Sequence, residues 1–377
     1  MLDRQPALDL AKTLAAWLIV LHHAVLYGPL AEALTAAWPG ATGWLAHYGR
    51  FAVQVFLVIG GYLAAQGLMA AGPGASWAQA VARRHTRLAL PFIAAVLLVL
   101  LAHALTDPWI PDLTPTEVSA EQLLAHALLL HGAVGMESLT VGAWYVAIDF
   151  QLYALLALLL TAGGAPNGLR WGGVALLATA SLWAFNRDAD WDAWALYFFG
   201  SYALGAGVAA WPRFGRWRWL ALAAAVAVMA IALVLEFRGR LALAGATALA
   251  LLVLRHRPWH ASPRWQGFWQ RQGARSYALF LVHFAACLVA NAAFVALGGQ
   301  AGSATLACGA LLALLAGSGA LAHGFHQAVE RPLARWQPLR WVMAAPGRWT
   351  ASARAVGLSS SALALPLGLE WVLLELA

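Results

Sequence analysis

Residues 9–25 read DLAKTLAAWLIVLHHAV, from Asp9 to Val25. As a helix rising 1.5 Å per residue the stretch reaches about 25 Å, close to the roughly 30 Å of hydrocarbon in a bilayer. It is an otherwise apolar run long enough to cross a bilayer, yet it holds Lys12, His22 and His23. Why a chain would accept buried, titratable groups there is a question that the rest of the sequence answers. Of 377 residues 62% are hydrophobic and 10% charged, against about 45–50% and about 25% in soluble domains. That balance excludes a soluble enzyme and predicts an all-α, polytopic membrane helix bundle.

Apolar runs of spanning length recur along the chain and give about ten transmembrane helices, at 7–27, 49–71, 88–106, 144–162, 170–186, 193–211, 218–236, 241–255, 276–297 and 303–323. The first run carries ionisable groups and lacks a small-residue cleavage site behind it, so it is expected to stay as a span. Residues 1–335 form the expected transmembrane domain. Residues 336–377 form a cytoplasmic or interfacial segment, in which 356–376 either crosses as an eleventh helix or lies on the membrane.

Placing the N-terminus in the cytoplasm puts all but Arg50, Arg187, Arg238, Arg240 and the membrane-embedded Lys12 of the 23 Lys and Arg on the cytoplasmic side. The positive-inside bias therefore predicts a multi-pass protein of the cytoplasmic (inner) membrane with that orientation. The formal charge of +7 comes from short juxtamembrane clusters, not a basic patch interleaved with stacking aromatics, so nucleic acid is not an expected partner. Most of the 20 tryptophans are assigned to interfacial belts. Cys287 and Cys308 both fall in apolar runs and suggest packing, not a disulfide. No HExxH pattern occurs, so no metal is expected. The longest outer loop, 107–143, carries five carboxylates and no Lys or Arg, and is expected to hold a short helix near Glu121–His131.

An ionisable group in mid-span costs roughly 2.5–3.5 kcal/mol on insertion scales, so each one asks for a partner or a role. Lys12 and His23 are eleven residues apart, three turns plus roughly 20°, which sets them on one helix face about 16 Å apart, whereas His22 points about 80° away from Lys12. Lys12 can equally snorkel or pair with Asp9, and either histidine can be a satisfied core residue. In AWYVAIDFQLYALLALLL the chain runs inward, and Asp149, about 7 Å below Trp144, is placed near the depth of His23, where it could pair with and orient the imidazole. Tyr153 shares the Asp149 face. His283 lies inside the ninth span, Glu330 beyond the tenth, and Arg84 and Arg87 on one face before the third, where they could clamp phosphates.

These pieces, in order, resemble the membrane-bound acyltransferase family 3. LDLAKTLAAWLIVLHH is similar to its basic residue, ten positions and histidine, here Lys12 and His23. FAVQVFLVIGGYL, RRHTRL with Arg84 and Arg87, WYVAIDFQLY, SYALFLVH ending at His283 and VERPL are similar to its further motifs. Most members carry Arg where Lys12 stands and Glu where Asp149 stands.

The resemblance implies an O-acyltransferase. It would move an acyl group, acetyl foremost, from cytoplasmic acyl-CoA to a hydroxyl of an extracytoplasmic carbohydrate or lipid-linked glycan. His23 would be the general base, Asp149 its orienting partner, and Lys12 a positioning cation. Donor contacts would come from Lys12, Arg84, Arg87 and His283, acceptor contacts from Trp144 and Tyr153. A polytopic transporter using the same polar groups as a relay, or a subunit using them as packing glue, are the alternative readings.

Overall fold

The computed structural model describes residues 6–72, 76–113, 115, 117–161, 166–259 and 262–335. Contacts divide the chain into a unit ending at Leu333 and a second beginning at Ala334, of which only Ala334 and Arg335 are described. The predicted segment 356–376 lies outside the described residues, as does the whole of 336–377.

The described residues of the first unit are almost entirely helical and contain no strand. Each of the ten expected spans has a counterpart: α1 (Pro6–Ala24), α4 (Ala52–Ala71), α5 (Trp77–Thr106), α7 (Ala143–Thr161), α8 (Asn167–Trp183), α9 (Ala195–Ala210), α10 (Arg218–Leu235), α11 (Gly239–His256), α12 (Pro263–Ala296) and α13 (Ala304–Phe325). Among the described residues, by length and apolarity alone, seven segments qualify to cross a membrane, or eight if α1 and the next helix are one bent span. The difference from ten has local causes. Helix α8 has only 17 residues, and α9 and α10 run together through a 3-10 stretch, Trp211–Trp217, broken at Gly215 with φ 53°.

Three shorter helices were not all foreseen. α2 (Gly28–Ala37) and α3 (Pro39–Tyr48) occupy the connection between the first two expected spans, to which no element was assigned. The bend between α1 and α2 is 92°. Gly28 makes the corner with φ +81°, and the Asn291 side chain of α12 accepts from the Leu30 N–H at 2.9 Å, capping the new helix. The third, α6 (Ala120–Ala127), lies where a short helix was expected, and its Ser119 side chain accepts from the Gln122 N–H.

The bundle is centred on α4 against α9 and on α1, α12 and α13. At the first of these crossings the backbones meet: a Cβ on Gly61 would run into the Tyr202 carbonyl, and one on Gly205 into the Val58 carbonyl. Small residues permit such contact between spans, where lipid removes the hydrophobic drive for association. A second close approach sets Gly273 of α12 against Asp9 of α1. At one rim Arg238 is buried as a clasp, donating to Asn186 Oδ1 at 2.8 Å and the Leu182 carbonyl at 2.9 Å. Arg216 and Arg218 lie over Trp217 and Trp219, in keeping with belt roles for those rings.

The connection between α5 and α7 does not stay at the rim. His85 Nε2 of α5 bonds the Ala127 carbonyl at 3.0 Å, and Phe92 stacks near His126 and His131, whose own rings lie 4.1 Å apart. Segment 120–142 therefore dips along α5, and α7 starts well inside the level at which α5 ends. Leu124 and Leu128 face outward from this dip, 59% and 45% exposed. In a chain with Cys287 and Cys308 replaced by Ala, Leu124→Cys and Leu128→Cys are expected to resist a charged maleimide in intact membranes and to react after detergent is added. Equal labelling before detergent would place the segment in water.

Candidate active site

Two buried polar centres stand in the bundle. The first joins the end of α1 to the middle of α12: His23 Nδ1 and His283 Nε2 are 2.7 Å apart, with the rings edge to edge and nearly coplanar, centroids 5.0 Å apart and planes at 9°. Both side chains are buried. Their proton arrangement follows from their partners. His283 Nδ1 faces two carbonyl oxygens, of Phe280 at 2.8 Å and Leu279 at 3.2 Å. Carbonyls only accept, so this nitrogen carries a hydrogen and His283 Nε2 holds the lone pair of a neutral imidazole. His23 Nδ1 must then donate to it, which leaves the lone pair of His23 on Nε2. The backbone of α12 thus sets the tautomer of His23 through an intervening imidazole.

Tyr27 (5.8 Å, ring to ring) and the α1–α2 corner flank His23, and Phe284 of α12 packs edge-on against Tyr27. His22 faces elsewhere, as its 80° offset implied: its Nδ1 donates to the Leu45 carbonyl of α3 at 2.9 Å, and Gly49 lies under its Cβ.

The second centre is the ion pair of Arg84 with Asp149, Nη2 to Oδ2 at 2.5 Å. Tyr153 lies under the guanidinium, 5.1 Å from ring centroid to Cζ, and Gly60 and Tyr202 close the other side of the carboxylate. The Tyr202 hydroxyl and Arg84 Nε are buried there without a hydrogen-bond partner. Gly60 and Tyr202 stand near the midpoints of α4 and α9, so this pair sits halfway along those spans.

The expected partnership of Asp149 with His23 is therefore corrected. Tyr277 of α12 donates to the Leu88 carbonyl of α5 at 3.2 Å and fixes the register of two helices that run the same way. Counting from there puts His283 about 9 Å toward one end and Arg84 about 6 Å toward the other. Between the centres stands an aromatic partition of Phe56, Tyr145 and Phe280, with ring centroids 5.2–6.2 Å apart. The depth estimate failed because it took Trp144 as the membrane rim, whereas the re-entrant connection delivers the start of α7 deep into the bundle. Arg84, expected in a cytoplasmic cluster ahead of the third span, lies within α5, its charge met by Asp149. Arg87, one turn on, is exposed.

Lys12 pairs with Asp9 at 2.7 Å, one of the alternatives its position allowed, about 16 Å along α1 from His23. Trp144 is 38% exposed and packs against Tyr145 and Phe198; its role as an acceptor contact gains no partner from the geometry. Tyr153 belongs to the Arg84 centre. Glu330 accepts from His326 Nδ1 at 2.5 Å across a π-helical turn, His326–Glu330.

Sequence reasoning missed Tyr145, Tyr202 and Tyr277 around the ion pair, and it missed Phe280 in the partition. Tyr145, four residues before Asp149, and Tyr277, in the SYALFLVH stretch, carried a usable signal. The others are single aromatics in apolar runs. Among the described residues no group of His, Cys, Asp or Glu could hold a metal.

Taken together, the structure is that of a multi-pass helical membrane protein with a paired-imidazole centre. Residues 5–323 match the acyltransferase domain of acyltransferase family 3, the membrane O-acyltransferases, and the chain belongs to that family. It is an acyltransferase, not the transporter that the same polar groups also allowed. Searches among curated proteins and among solved structures returned no match.

Proposed function

We propose that this acyltransferase moves an acyl group, acetyl foremost, from acyl-CoA to a hydroxyl of an extracytoplasmic carbohydrate or lipid-linked glycan. In this reading the N-terminus lies in the cytoplasm and the chain resides in the inner membrane, as the arginine distribution suggests. The observation that carries the proposal is the tautomer of His23: a buried imidazole whose Nδ1–H is committed to His283 presents Nε2 as a base. That is the arrangement a general base requires, with a neutral imidazole and a backbone-anchored partner standing where hydrolases use a carboxylate.

The chemistry needs no covalent enzyme intermediate. His23 Nε2 takes the proton of the acceptor hydroxyl as its oxygen attacks the thioester carbonyl. The carbon–sulfur bond then breaks, and the leaving thiolate recovers that proton from the imidazolium. Lys12 serves as a positioning cation at the other end of α1. The Arg84–Asp149 pair holds α5 against α7 and keeps the aromatic partition in place.

Labelled acetyl-CoA supplied to the purified protein in lipid nanodiscs tests the reading. Free coenzyme A is expected to appear only when a glycan acceptor is added, and surface glycans of producing cells should carry acetyl esters that cells without the protein lack. Release of coenzyme A independent of acceptor, together with unchanged glycans, would overturn it.

A further inference from the structure

Helix α12 has 34 residues, about 51 Å, which exceeds the hydrocarbon thickness by more than a dozen residues. Its first third, PRWQGFWQRQGAR, is the polar part, and it extends beyond the apolar section that carries His283. Against this part stands the π-helical turn that follows α13. Between them lies a cavity of about 520 Å³ lined by Gly267, Gln270, Arg271, Ala274, Arg275, His326, Gln327 and Arg331. The volume is in the range of small-ligand sites, about 300–1,000 Å³.

The lining contains three guanidiniums and no carboxylate. Arg271 and Arg275, one turn apart on α12, have no ion-pair partner among the described residues. Arg331 is held by Gln327, and His326 by Glu330, so the far wall is fixed. Ordinary positive-inside anchoring would leave such arginines splayed toward water and lipid headgroups. Here they converge on a concavity with two glutamines, and forked donors of this kind suit phosphate oxygens.

We infer that this cavity is the binding site for the phosphorylated nucleotide end of the acyl-CoA donor, with Arg271, Arg275 and Arg331 as its phosphate contacts. The inference rests on the donor named under Proposed function. It replaces Arg84, whose guanidinium is already committed to Asp149. Distance along α12 supports the assignment: His283 stands about 12 Å beyond Arg275 and about 18 Å beyond Arg271. The pantetheine arm has as many backbone bonds between phosphate and sulfur as about four extended residues, a reach of about 14 Å. A phosphate held at Arg275 therefore leaves the thioester at the level of the paired imidazoles.

A narrow cleft of about 20 Å³ shares Arg275 with the cavity and is lined further by Thr13, Trp17, Ser276 and Leu279, the last one turn short of His283. It marks the direction in which the arm would run. At its present width it has room for little more than a water molecule, so Trp17 must yield for the arm to pass.

Titration calorimetry with the full-length protein in neutral detergent separates the possibilities without an acceptor. Coenzyme A and adenosine 3′,5′-bisphosphate are both expected to bind the wild-type protein, and Arg271→Ala with Arg275→Ala should weaken both at least tenfold. Acetyl-pantetheine, which lacks the phosphates, should bind both proteins equally, and Arg271→Lys with Arg275→Lys should recover part of the loss. Unchanged coenzyme A affinity in the alanine variant would overturn the site while leaving the donor assignment standing. No binding of coenzyme A to the wild type would overturn the donor assignment itself. Vesicles with anionic phospholipid form the third arm: if they compete with the bisphosphate at the arginines and coenzyme A does not, the cavity holds a lipid headgroup and the proposal fails.

Discussion

His23→Ala is expected to lower acyl transfer by about 10³-fold, within the range lost when a positioned general base is removed. The side chain is buried but sits at the end of α1, and the shortened residue still fits the helix, so the yield of folded protein and the affinity for coenzyme A should be retained. His283→Ala is expected to cost less, about tenfold to a hundredfold, as when the partner orienting a functional histidine is lost. The two losses should not add. Without His283, the Nδ1–H of His23 has no fixed acceptor and the ring can turn or change tautomer; without His23, His283 has nothing to orient. A steady-state assay with labelled acetyl-CoA, reading kcat and donor KM for the two single variants and the double variant, checks this. Near-normal turnover in His23→Ala would remove the base, and additive losses would uncouple the two rings.

Asp149→Ala is the second large effect, and it falls on stability. The carboxylate is buried and Arg84 is only partly accessible, with side chains 8% and 22% exposed. Deleting one partner leaves a guanidinium in the middle of α4, α7 and α9 without a counter-charge, an error that costs about 3–5 kcal/mol in buried pairs. Thermal denaturation in detergent should show it as a large fall in Tm or in recoverable protein. Arg84→Met combined with Asp149→Leu is expected to regain most of that loss, since apolar pairs replace buried ion pairs at little net cost. If instead Asp149→Ala and Arg84→Met each behave as the wild type in the melt, the pair is not the lock described here. The same variants separate Asp149 from the base: the pH dependence of transfer should follow His283 substitutions and not Asp149→Asn.

The helical, membrane-spanning character was legible because a hydrocarbon solvent tolerates few polar residues and repeats its length requirement along the chain. Within α1, simple helical geometry separated His22 from Lys12 and His23, and His22 does turn away, to Leu45. The failures share a cause. Periodicity reads along one helix, whereas partners are set by how helices pass each other and where each begins. Nothing in AWYVAIDFQLY says that the preceding loop dips along α5, so Asp149 was placed too close to the rim and matched to the His23 imidazole instead of Arg84. Arg84 read as a cytoplasmic charge because its counter-charge lies 65 positions away. The His23–His283 contact spans 260 positions, beyond any local pattern. The corner after α1 was equally silent, since its cap comes from Asn291 at the opposite end of the chain.

That corner ties His23 to the segment that follows α1. Only four residues separate His23 from the first residue of α2, and the 92° turn between them is held by Gly28 and Asn291. The imidazole is thus mounted at a joint, gripped from the bundle through one nitrogen and attached through its backbone to a panel laid across the bundle. A change in the panel, α2 and α3, can therefore reshape what meets the proposed base without loosening the grip on its ring.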